Sequence, residues 1–341
     1  MLVFVVMRGK KEESGIIRFE LMMLFFVILS IFGKVKELGT ATMLTSIYVD
    51  VSNIRPAFNP DEFKAQQRQM RDNAAPGWQA WWETFERGAQ KVSDKIVELA
   101  EIKPGDRVLD IATGIGEPAV TAARKVMPNG KVLATDISSQ MLAIAKTRAA
   151  SLGLNDIIEF RECDGEKLDL PDQTAKFDAI LSRFGLMFFP NLPAALVRIR
   201  QMLITNGRLS AAVWSAPSKV PLSDLAFATV RKELNIPAPP PGAPSPFALA
   251  DVETLKQLFS QAGFNDIKID TFQTTFEFDS PESYTRAHQQ TNAPINDMLA
   301  KYTDEVKNRV WNSITEAVWQ YADSHGRVNL DNEVICIVGR N

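Results

Sequence analysis

The sequence predicts an α/β protein built on a doubly wound, mostly parallel sheet of seven strands. Two observations predict this fold. From residue 107 onward, short apolar segments alternate with segments of helical pattern, and this order produces parallel strands joined by helical crossovers. Directly after the first apolar segment, a glycine turn opens a helix, as at the ligand-binding edge of such sheets.

Composition limits the class of protein. Apolar content of 45%, charged content of 23% and a formal net charge of -3 are ordinary for a globular enzyme and disfavour a nucleic-acid partner. Two cysteines, Cys163 and Cys336, and two histidines, His288 and His325, are too few and too isolated for a metal site or a disulfide framework. We therefore expect a reduced, cytoplasmic protein without a metal.

The first 50 residues form an apolar extension that differs from the rest of the chain. Residues 21–32 are an apolar run, LMMLFFVILSIF, whereas a membrane-spanning helix needs about 20 such residues. Three interpretations are open: a start assigned too early, with translation beginning near Met43; weak membrane association through residues 16–33; or a targeting segment that is removed. The fold prediction therefore begins after this extension.

N-terminal cap helices are predicted over residues 51–100. Residues 60–87 are first polar and then aromatic, and residues 90–99 continue as an amphipathic helix that a KPGD turn closes. Trp78, Trp81, Trp82 and Phe85 fall on one helical face. This stripe is either core packing or a cap over a ligand, since cations favour aromatic faces.

Alternating strands and helices follow. Strands are predicted at residues 107–112, 131–136, 157–162, 177–182 and 208–214. Helices are predicted at residues 117–126, at 138–152, and in a segment that ends at residues 206–207. Pro118 suits the first turn of the first helix, while Ser138 is the expected N-cap and Gly153 the expected stop of the second.

The pattern changes after the fifth strand. Residues 236–246 contain six prolines and predict an extended surface loop, because proline disrupts helices and central strands. A helix between Asp251 and Gly263, a strand at residues 267–278 and a last strand at residues 332–339 are predicted beyond it. The helical segment at about 280–328, between these last two strands, is the expected lid.

The turn after the first strand reads GIGEPA from Gly114, a spacing that dinucleotides and other adenosine ligands share. Asp136 ends the second strand, where a carboxylate can accept two ribose hydroxyls. Asp110 and Glu117, however, flank the turn, and two carboxylates repel a pyrophosphate. They favour a ligand that carries an ammonium and a sulfonium group, which is S-adenosylmethionine.

Several motifs together resemble the class I S-adenosylmethionine-dependent methyltransferases. DIATGIG at residues 110–116 is similar to the family's D-x-G-x-G-x-G, with Ala112 in the first glycine's place. TDIS followed by QML, and the acidic loop ECDGEKLDLP at residues 162–171, resemble later motifs. The resemblance covers residues 92–339 and is nearest to the ubiquinone/menaquinone-biosynthesis C-methyltransferase group. It implies a Rossmann-like sheet with an antiparallel last strand, and a cofactor-binding domain at residues 101–341.

The same resemblance implies the cofactor contacts position by position. Asp110 would bind the methionine ammonium, Asp136 the ribose hydroxyls and Asp164 the adenine amino group, with Met141 packed on the adenine. The implied cofactor-binding residues are Asp110, Ala112, Gly114, Gly116, Asp136, Met141, Asp164, Gly165 and Ser182. Asp136 has an alternative role as an acid that offsets a helix dipole.

Methyl transfer needs alignment and exclusion of water more than a dedicated base, and no catalytic residue stands out. His288 is either a surface histidine or a base that the lid brings over the site. Open α/β sheets bind ligands at the carboxyl edge of their strands. The predicted acceptor-binding residues there are Trp78, Trp82, Arg183, Phe184 and Trp214. Arg183 could instead form a surface ion pair.

The predicted function is methyl transfer to an apolar or aromatic small molecule. SRFG follows the fourth strand in place of the N/D-P-P-Y/F pattern that the resemblance associates with exocyclic amines, which argues against DNA and RNA substrates. A quinone-pathway C-methyltransferase at a membrane, an NAD-dependent oxidoreductase and a non-catalytic binding protein are the alternatives. The acceptor atom and the oligomeric state stay open.

Overall fold

The computed structural model describes residues 59–168, 170, 176–237 and 243–341. The apolar extension at residues 1–50, with its segment at 16–33, lies outside the described residues, as does part of the proline-rich loop. Among the helices of the described part, none is long and apolar enough to cross a membrane.

A seven-stranded sheet lies at the centre of the fold, in the order β3-β2-β1-β4-β5-β7-β6. Its strands are β1 (Arg107–Ile111), β2 (Lys131–Asp136), β3 (Ile158–Glu162), β4 (Phe177–Arg183), β5 (Leu203–Trp214), β6 (Asn265–Phe278) and β7 (Val328–Arg340). Strands β1 to β5 pair in parallel, and β7 pairs antiparallel with both β5 and β6. The predicted α/β fold with an antiparallel last strand is confirmed.

Helices cover both faces of this sheet. They are α1 (Pro60–Leu99), α2 (Ala119–Val126), α3 (Ser139–Ser151), α4 (Leu192–Gln201), α5 (Pro221–Leu234), α6 (Val252–Gln261), α7 (Pro281–Thr291), α8 (Ala293–Leu299) and α9 (Asp304–Val318). Successive residues of β1 point into opposite apolar layers, with Val108 in one and Leu109 in the other. Burial of both strand faces is what a doubly wound sheet requires.

Several observed elements differ from the predicted ones. The strand β5 begins at Leu203 and not at residue 208, because it pairs with β4 from Phe177 onward. The strand β7 begins at Val328, where pairing with Phe278 of β6 extends it beyond the apolar segment. The helix α5 is not predicted, although its buried Leu222, Ala226 and Val230 recur every four residues.

The helix α1 is one continuous helix of 40 residues, where the sequence predicts several cap helices. The Asn59 side chain begins it by accepting hydrogen bonds from the backbone N–H groups of Asp61 and Glu62. Pro76 lies inside the helix and removes one backbone hydrogen bond without ending it. Packing against α3, α7 and β6 holds α1 on both sides of this proline.

The helices α7, α8 and α9 lie between β6 and β7, in the segment predicted to be a lid. The helix α7 packs against α1 and α9, and α9 packs against α5. Tyr284 and Ala287 of α7 are buried in the main apolar core. This segment therefore forms a wall above the carboxyl edge of the sheet.

Candidate functional site

The glycine turn connects β1 to α2 at the carboxyl edge of the sheet. Gly114 and Gly116 have positive φ angles of 57° and 106°, which glycine adopts without strain. A Cβ atom on Gly114 would meet nothing within 4 Å, so open space adjoins the backbone there. On Gly116 a Cβ would lie 3.3 Å from Ala145, so this residue lets α3 pack closely.

Ala112 also has a positive φ, of 61°, at the place of the family's first glycine. A left-handed backbone costs an L-residue roughly 1–2 kcal/mol. The neighbouring Gly185 accommodates the alanine side chain, because a Cβ on Gly185 would lie 2.7 Å from the Ala112 Cβ. Gly185, in the loop after β4, therefore leaves room for an alanine where the family motif has a glycine.

Asp110 lies fully buried at the end of β1. Its Oδ2 accepts a hydrogen bond from the backbone N–H of Ala119 at 3.0 Å, and its Oδ1 has no partner among the described residues. Burial raises the pKa of this carboxyl to about 7, against the opposing effects of the Thr113 hydroxyl and the Arg183 guanidinium. Apart from the Thr113 hydroxyl, which acts on the pKa, the described residues therefore place no donor at Oδ1.

Four further charged side chains surround this carboxylate. Arg183 donates from its two terminal nitrogens to Glu86 of α1, at 2.8 and 3.0 Å, and also to the Ser93 hydroxyl at 2.8 Å. Burial disfavours the guanidinium charge, yet the carboxylates of Glu86, Glu117 and Asp110 together outweigh burial and raise the pKa of Arg183. Glu117 is buried, and burial followed by the nearby Glu86 raises the pKa of its carboxyl.

Arg148 of α3 is the second cation of this cluster. Its guanidinium lies 3.9 Å from the centre of the Trp82 ring and donates to the backbone carbonyl of Ile115 in the glycine turn. Asp110, Glu117 and Glu86 thus face Arg183 and Arg148, which leaves an excess of acid. Such an environment favours a cationic ligand and disfavours a diphosphate.

Asp136 ends β2 beside the glycine turn. Its Oδ2 accepts from the N–H of Gly114 at 2.8 Å, and its Oδ1 accepts from the N–H of Ser138 at 2.9 Å. Burial raises the pKa of Asp136, although both hydrogen bonds oppose the shift. The Ser138 hydroxyl accepts from the N–H of Met141, whose side chain is buried at the start of α3. Ser138 is therefore the N-cap, as predicted.

Asp164 follows β3 and binds a side chain from α1. Its Oδ2 accepts from Lys64 Nζ at 2.8 Å, and its Oδ1 accepts from the N–H of Glu166 at 3.0 Å. Gly165 stands where a Cβ would lie 2.6 Å from the Phe189 ring, so packing already requires glycine there.

The end of β4 contributes Ser182 and Phe184. The Ser182 hydroxyl is buried and has no partner among the described residues. Phe184 has a positive φ of 59°, and its ring stacks on Trp214 at 4.0 Å between centroids. Strained backbone of this kind is typical of binding sites, where the surroundings hold it in place.

Aromatic side chains run from this edge to the lid segment. Trp214 contacts Phe276, which contacts Phe85, at centroid distances of 6.0 and 6.3 Å. Phe85 in turn contacts both Trp78 and Phe278, at 4.9 and 6.1 Å. The remaining steps lead from Phe278 through Tyr284 to His288, at 5.3 and 4.3 Å. We call this set the aromatic cluster: Trp78, Phe85, Phe184, Trp214, Phe276, Phe278, Tyr284 and His288.

His288 is buried, so its interpretation as a surface histidine is wrong. Its Nδ1 lies 3.2 Å from Asn292 Nδ2, and its Nε2 makes no hydrogen bond of standard geometry among the described residues, although the Leu222 backbone acts on the ring and opposes the shift of its pKa. Burial lowers the pKa of His288 to about 4, which keeps the ring neutral at pH 7. The Trp78 indole Nε1 is a second buried polar atom without a partner in the described part.

The remaining predicted acceptor residues lie elsewhere. Arg183 is committed to a buried ion pair with Glu86, so the surface ion pair considered for it is wrong in location. Trp82 lies against Arg148 beside the glycine turn, and Trp81 donates to Gln290 of α7 at 2.7 Å. The aromatic stripe of α1 thus divides between three surroundings. Glu86 carries no sequence signal that would have identified it, because its partner lies almost a hundred residues away.

The buried polar atoms fit S-adenosylmethionine. Asp110 Oδ1 and the Ser182 hydroxyl are acceptors without donors, and Gly114 adjoins open space. The surplus of acid around them matches the ammonium and sulfonium charges of this cofactor. These features are those of a methyltransferase cofactor site.

Comparison with known proteins agrees with this geometry. A family model described as "Methyltransferase domain" matches residues 102–263. A ubiquinone/menaquinone biosynthesis C-methyltransferase UbiE of Pseudomonas putida (strain F1) is 31% identical over 211 residues, which cover 58% of this chain and 76% of that protein. UbiE of Pseudomonas entomophila is 33% identical over 149 residues, covering 44% of this chain and 54% of that protein.

Solved structures share the fold at low identity. Phosphoethanolamine N-methyltransferase 2 of Haemonchus contortus has a TM-score of 0.51 and 17% identity, covering 82% of this chain and 60% of that one. The cyclase SpnF has a TM-score of 0.51 and 19% identity, covering 81% of this chain and 96% of that one.

The chain belongs to the class I S-adenosylmethionine-dependent methyltransferases. It is an enzyme, and its cofactor is S-adenosylmethionine. The NAD-dependent oxidoreductase that the glycine spacing alone allows is therefore wrong.

Proposed function

We propose that this enzyme transfers a methyl group to an apolar or aromatic small molecule. The observation that carries the proposal is the aromatic cluster, which runs continuously from Phe184 at the carboxyl edge of β4 to His288 in α7. Aromatic surroundings favour an acceptor with flat or apolar surface. Two buried polar atoms, Trp78 Nε1 and His288 Nε2, lack a partner of standard geometry in the described part and would be free to hydrogen-bond such an acceptor.

We assign the cofactor contacts to the residues predicted from the sequence. Asp110 and Ser182 would hold the methionine portion, Asp136 the ribose hydroxyls and Asp164 the adenine amino group. Met141, buried beside Asp136 at the start of α3, would pack on the adenine. Gly114, Gly116 and Ala112 would form the close backbone surface, and Gly165 would lie beside Asp164.

The bound cofactor supplies a methyl group already activated by its sulfonium. The protein aligns the acceptor and excludes water, which contributes on the order of 7–11 kcal/mol in well-oriented reactions. The neutral His288 ring is suited to hydrogen-bond a hydroxyl of the acceptor, and its low pKa makes it a weak base. Arg183 positions α1 and balances the charge around Asp110.

Ring C-methylation of a quinone precursor is the second candidate. The relatives favour it, since those proteins are ubiquinone/menaquinone biosynthesis C-methyltransferases. The apolar run that would bring this enzyme to a membrane lies outside the described residues, so the candidate depends on the relatives alone.

Turnover against a panel of phenols, quinols and aliphatic amines tests the proposal. We expect phenols or quinols to be methylated and aliphatic amines to be inactive; turnover of amines alone would contradict the proposal. Nuclear magnetic resonance of the product separates methylation at carbon from methylation at oxygen.

A variant series tests the role of His288. Replacement His288→Phe keeps an aromatic ring and removes the hydrogen bond, so kcat/KM should fall by about two- to tenfold. Affinity for S-adenosylhomocysteine should not change. The exposed His325 supplies the matched control, His325→Phe, which should leave both quantities unaltered. Equal kcat/KM in both variants would remove His288 from the acceptor site.

A further inference from the structure

The N-terminal half of α1 lies across the carboxylates to which we assign the adenosine. Lys64, Arg68, Arg71 and Asp72 are spaced at i, i+4, i+7 and i+8, so they share one face of the helix. We call residues 60–75 the gate. These four side chains face the carboxyl ends of β2, β3 and β4 and the segments that follow them.

Lys64 makes the strongest contact. Its Nζ lies 2.8 Å from Asp164 Oδ2 and 3.1 Å from Glu166 Oε2. The side chains of Lys64, Asp164 and Glu166 are only 15%, 19% and 8% exposed, so this contact is largely shielded from water. Asp164 is the carboxylate that would accept the adenine amino group. The lysine ammonium therefore occupies an acceptor oxygen that the cofactor would use.

The other three side chains extend the same surface to β2. Asp72 Oδ1 accepts from the Ser138 hydroxyl at 2.5 Å. The Arg71 guanidinium lies 5.0 Å from the centre of the Phe188 ring, and its charge acts to lower the pKa of Asp136. Arg68 pairs with Glu162 at 3.3 Å in a half-exposed contact. The gate thus supplies cations to the carboxylates on both sides of the adenosine site.

The helix has a weak point directly after the gate. Pro76 has no N–H group, so the backbone bond that would join it to the carbonyl of Asp72 is missing. Beyond it, α1 is held firmly: a Cβ on Gly77 would lie 2.0 Å from the Gln290 carbonyl oxygen, one on Gly88 2.6 Å from the Phe276 ring, and Glu86 pairs with Arg183.

The far side of the gate is packed more loosely. A groove of about 750 Å³ separates Met70 and Asn73 of the gate from α8. An exposed hydrogen bond from Gln66 to Asp297, at 3.2 Å, bridges this groove. Ala74 and Ala75, next to Pro76, are buried. The rest of the gate is joined to the protein mainly by the polar contacts given above, whereas the second half of α1 is joined to it by buried packing.

We propose that the gate is an internal competitor for the adenosine-binding carboxylates and swings away about Pro76 when the cofactor binds. This inference rests on the proposed assignment of Asp136 and Asp164 to the adenosine. Lys64 is then an affinity-determining residue, since its release from Asp164 and Glu166 precedes cofactor binding. The apparent dissociation constant rises by the inverse of the fraction of open gates.

Calorimetric titration of Lys64→Met with S-adenosylhomocysteine and with methylthioadenosine tests the competition. Both probes carry no net charge, so loss of a lysine does not act on them through long-range attraction. If the substitution opens the gate, the dissociation constants of both probes should fall by about two- to tenfold. Lys95→Met is the matched control, because Lys95 lies on the same helix beyond Pro76 and pairs with Asp270 at 2.7 Å. It should leave both affinities unchanged, and weaker binding to Lys64→Met would overturn the proposal.

Hydrogen exchange of the wild-type enzyme tests the movement itself. On addition of S-adenosylhomocysteine, amides of residues 60–75 should exchange faster, while those of residues 80–97 should not. Greater protection of residues 60–75 would show that the gate closes over the cofactor, which contradicts the proposal.

Two further variants separate this inference from the site assignment. Asp136→Asn and Asp164→Asn should each weaken the binding of S-adenosylhomocysteine. If neither does, the assignment of the adenosine contacts is wrong. If both do while Lys64→Met fails to tighten binding, the site stands and the gate alone is refuted.

Discussion

Asp110, to which we assign the methionine ammonium, also affects the stability of the folded chain. Burial raises its pKa to about 7, whereas an aspartate in an unfolded chain has a pKa of about 3.9. The folded state therefore binds more protons than the unfolded chain between these values. The stabilisation that this difference in pKa gives the folded state is fully present below the unfolded pKa. It is lost as the pH rises through the folded pKa of about 7. An enzyme that needs this carboxylate to bind a cation tolerates that loss.

Replacement Asp110→Asn should therefore stabilise the cofactor-free enzyme. The asparagine oxygen can still accept the hydrogen bond from Ala119, and the buried charge is gone. We expect the free energy of unfolding to rise by about 2–4 kcal/mol at pH 8 and by clearly less at pH 5. Denaturant titration at both values measures it. An identical change at the two pH values would show that the charge of Asp110 is not the cause.

At Ala112 the expected effect on stability comes from backbone strain and not from a buried charge. Its φ of 61° is a conformation that favours glycine, and Gly185 leaves room beside it. Ala112→Gly relieves the strain but makes the unfolded chain more flexible, so stability should stay equal or rise by up to about 1 kcal/mol. The buried helical Ala123 is the control, where Ala123→Gly should destabilise by about 1 kcal/mol. Destabilisation of similar size at both positions would contradict this account.

At the scale of the element, α1 contacts different partners along its length. The sequence predicts helix and an aromatic stripe in this region, and both are present. It does not predict that Trp81, Trp82 and Phe85 face separate partners, because periodicity identifies a face and not the elements that cover it. Pro76 within an unbroken helix shows the same limit, since packing overrides the local preference.

The ion pair between Glu86 and Arg183 fastens α1 to β4. Both side chains are nearly buried, at 11% and 12% exposed, so removal of one leaves the other uncompensated. Arg183→Met should cost about 3–5 kcal/mol of unfolding free energy, and Glu86→Leu added to it should recover part of that loss. A double-mutant cycle by denaturant titration measures the coupling. The exposed pair Lys307–Asp304 is the control and should contribute less than about 0.5 kcal/mol; strictly additive losses at Glu86 and Arg183 would contradict the pairing.

At the scale of the whole molecule, the parallel sheet and the glycine turn were predictable because both are local patterns. The order Asp110, Gly114, Asp136 and Asp164 follows the carboxyl ends of successive strands, so their clustering follows from the topology. The acceptor side was less predictable. Phe276 and Phe278 join the aromatic cluster from a strand that lies far along the chain, and burial of His288 depends on how α7 packs on α9 and α1.

A site assembled from so many elements should be stabilised as a whole when it is filled. Binding of S-adenosylhomocysteine at a hundred times its dissociation constant contributes about 2.7 kcal/mol, which corresponds to a rise in Tm of roughly 4–5 °C for a chain of this length. NAD should not change Tm, because the acids beside the glycine turn disfavour its pyrophosphate. Differential scanning fluorimetry compares the two ligands. Equal rises with both ligands would contradict the electrostatic account.

The most direct test measures the protons that the enzyme releases when it binds the cofactor. If the cation of S-adenosylmethionine binds beside Asp110, binding near pH 7 must release a fraction of a proton from this carboxyl. Calorimetry in two buffers of different ionisation enthalpy detects that release as a difference in observed heat. We predict a buffer-dependent heat for the wild-type enzyme that disappears in Asp110→Asn, together with a large loss of affinity. Buffer-independent heat in the wild type, or unchanged binding in the variant, would contradict the placement of the cofactor.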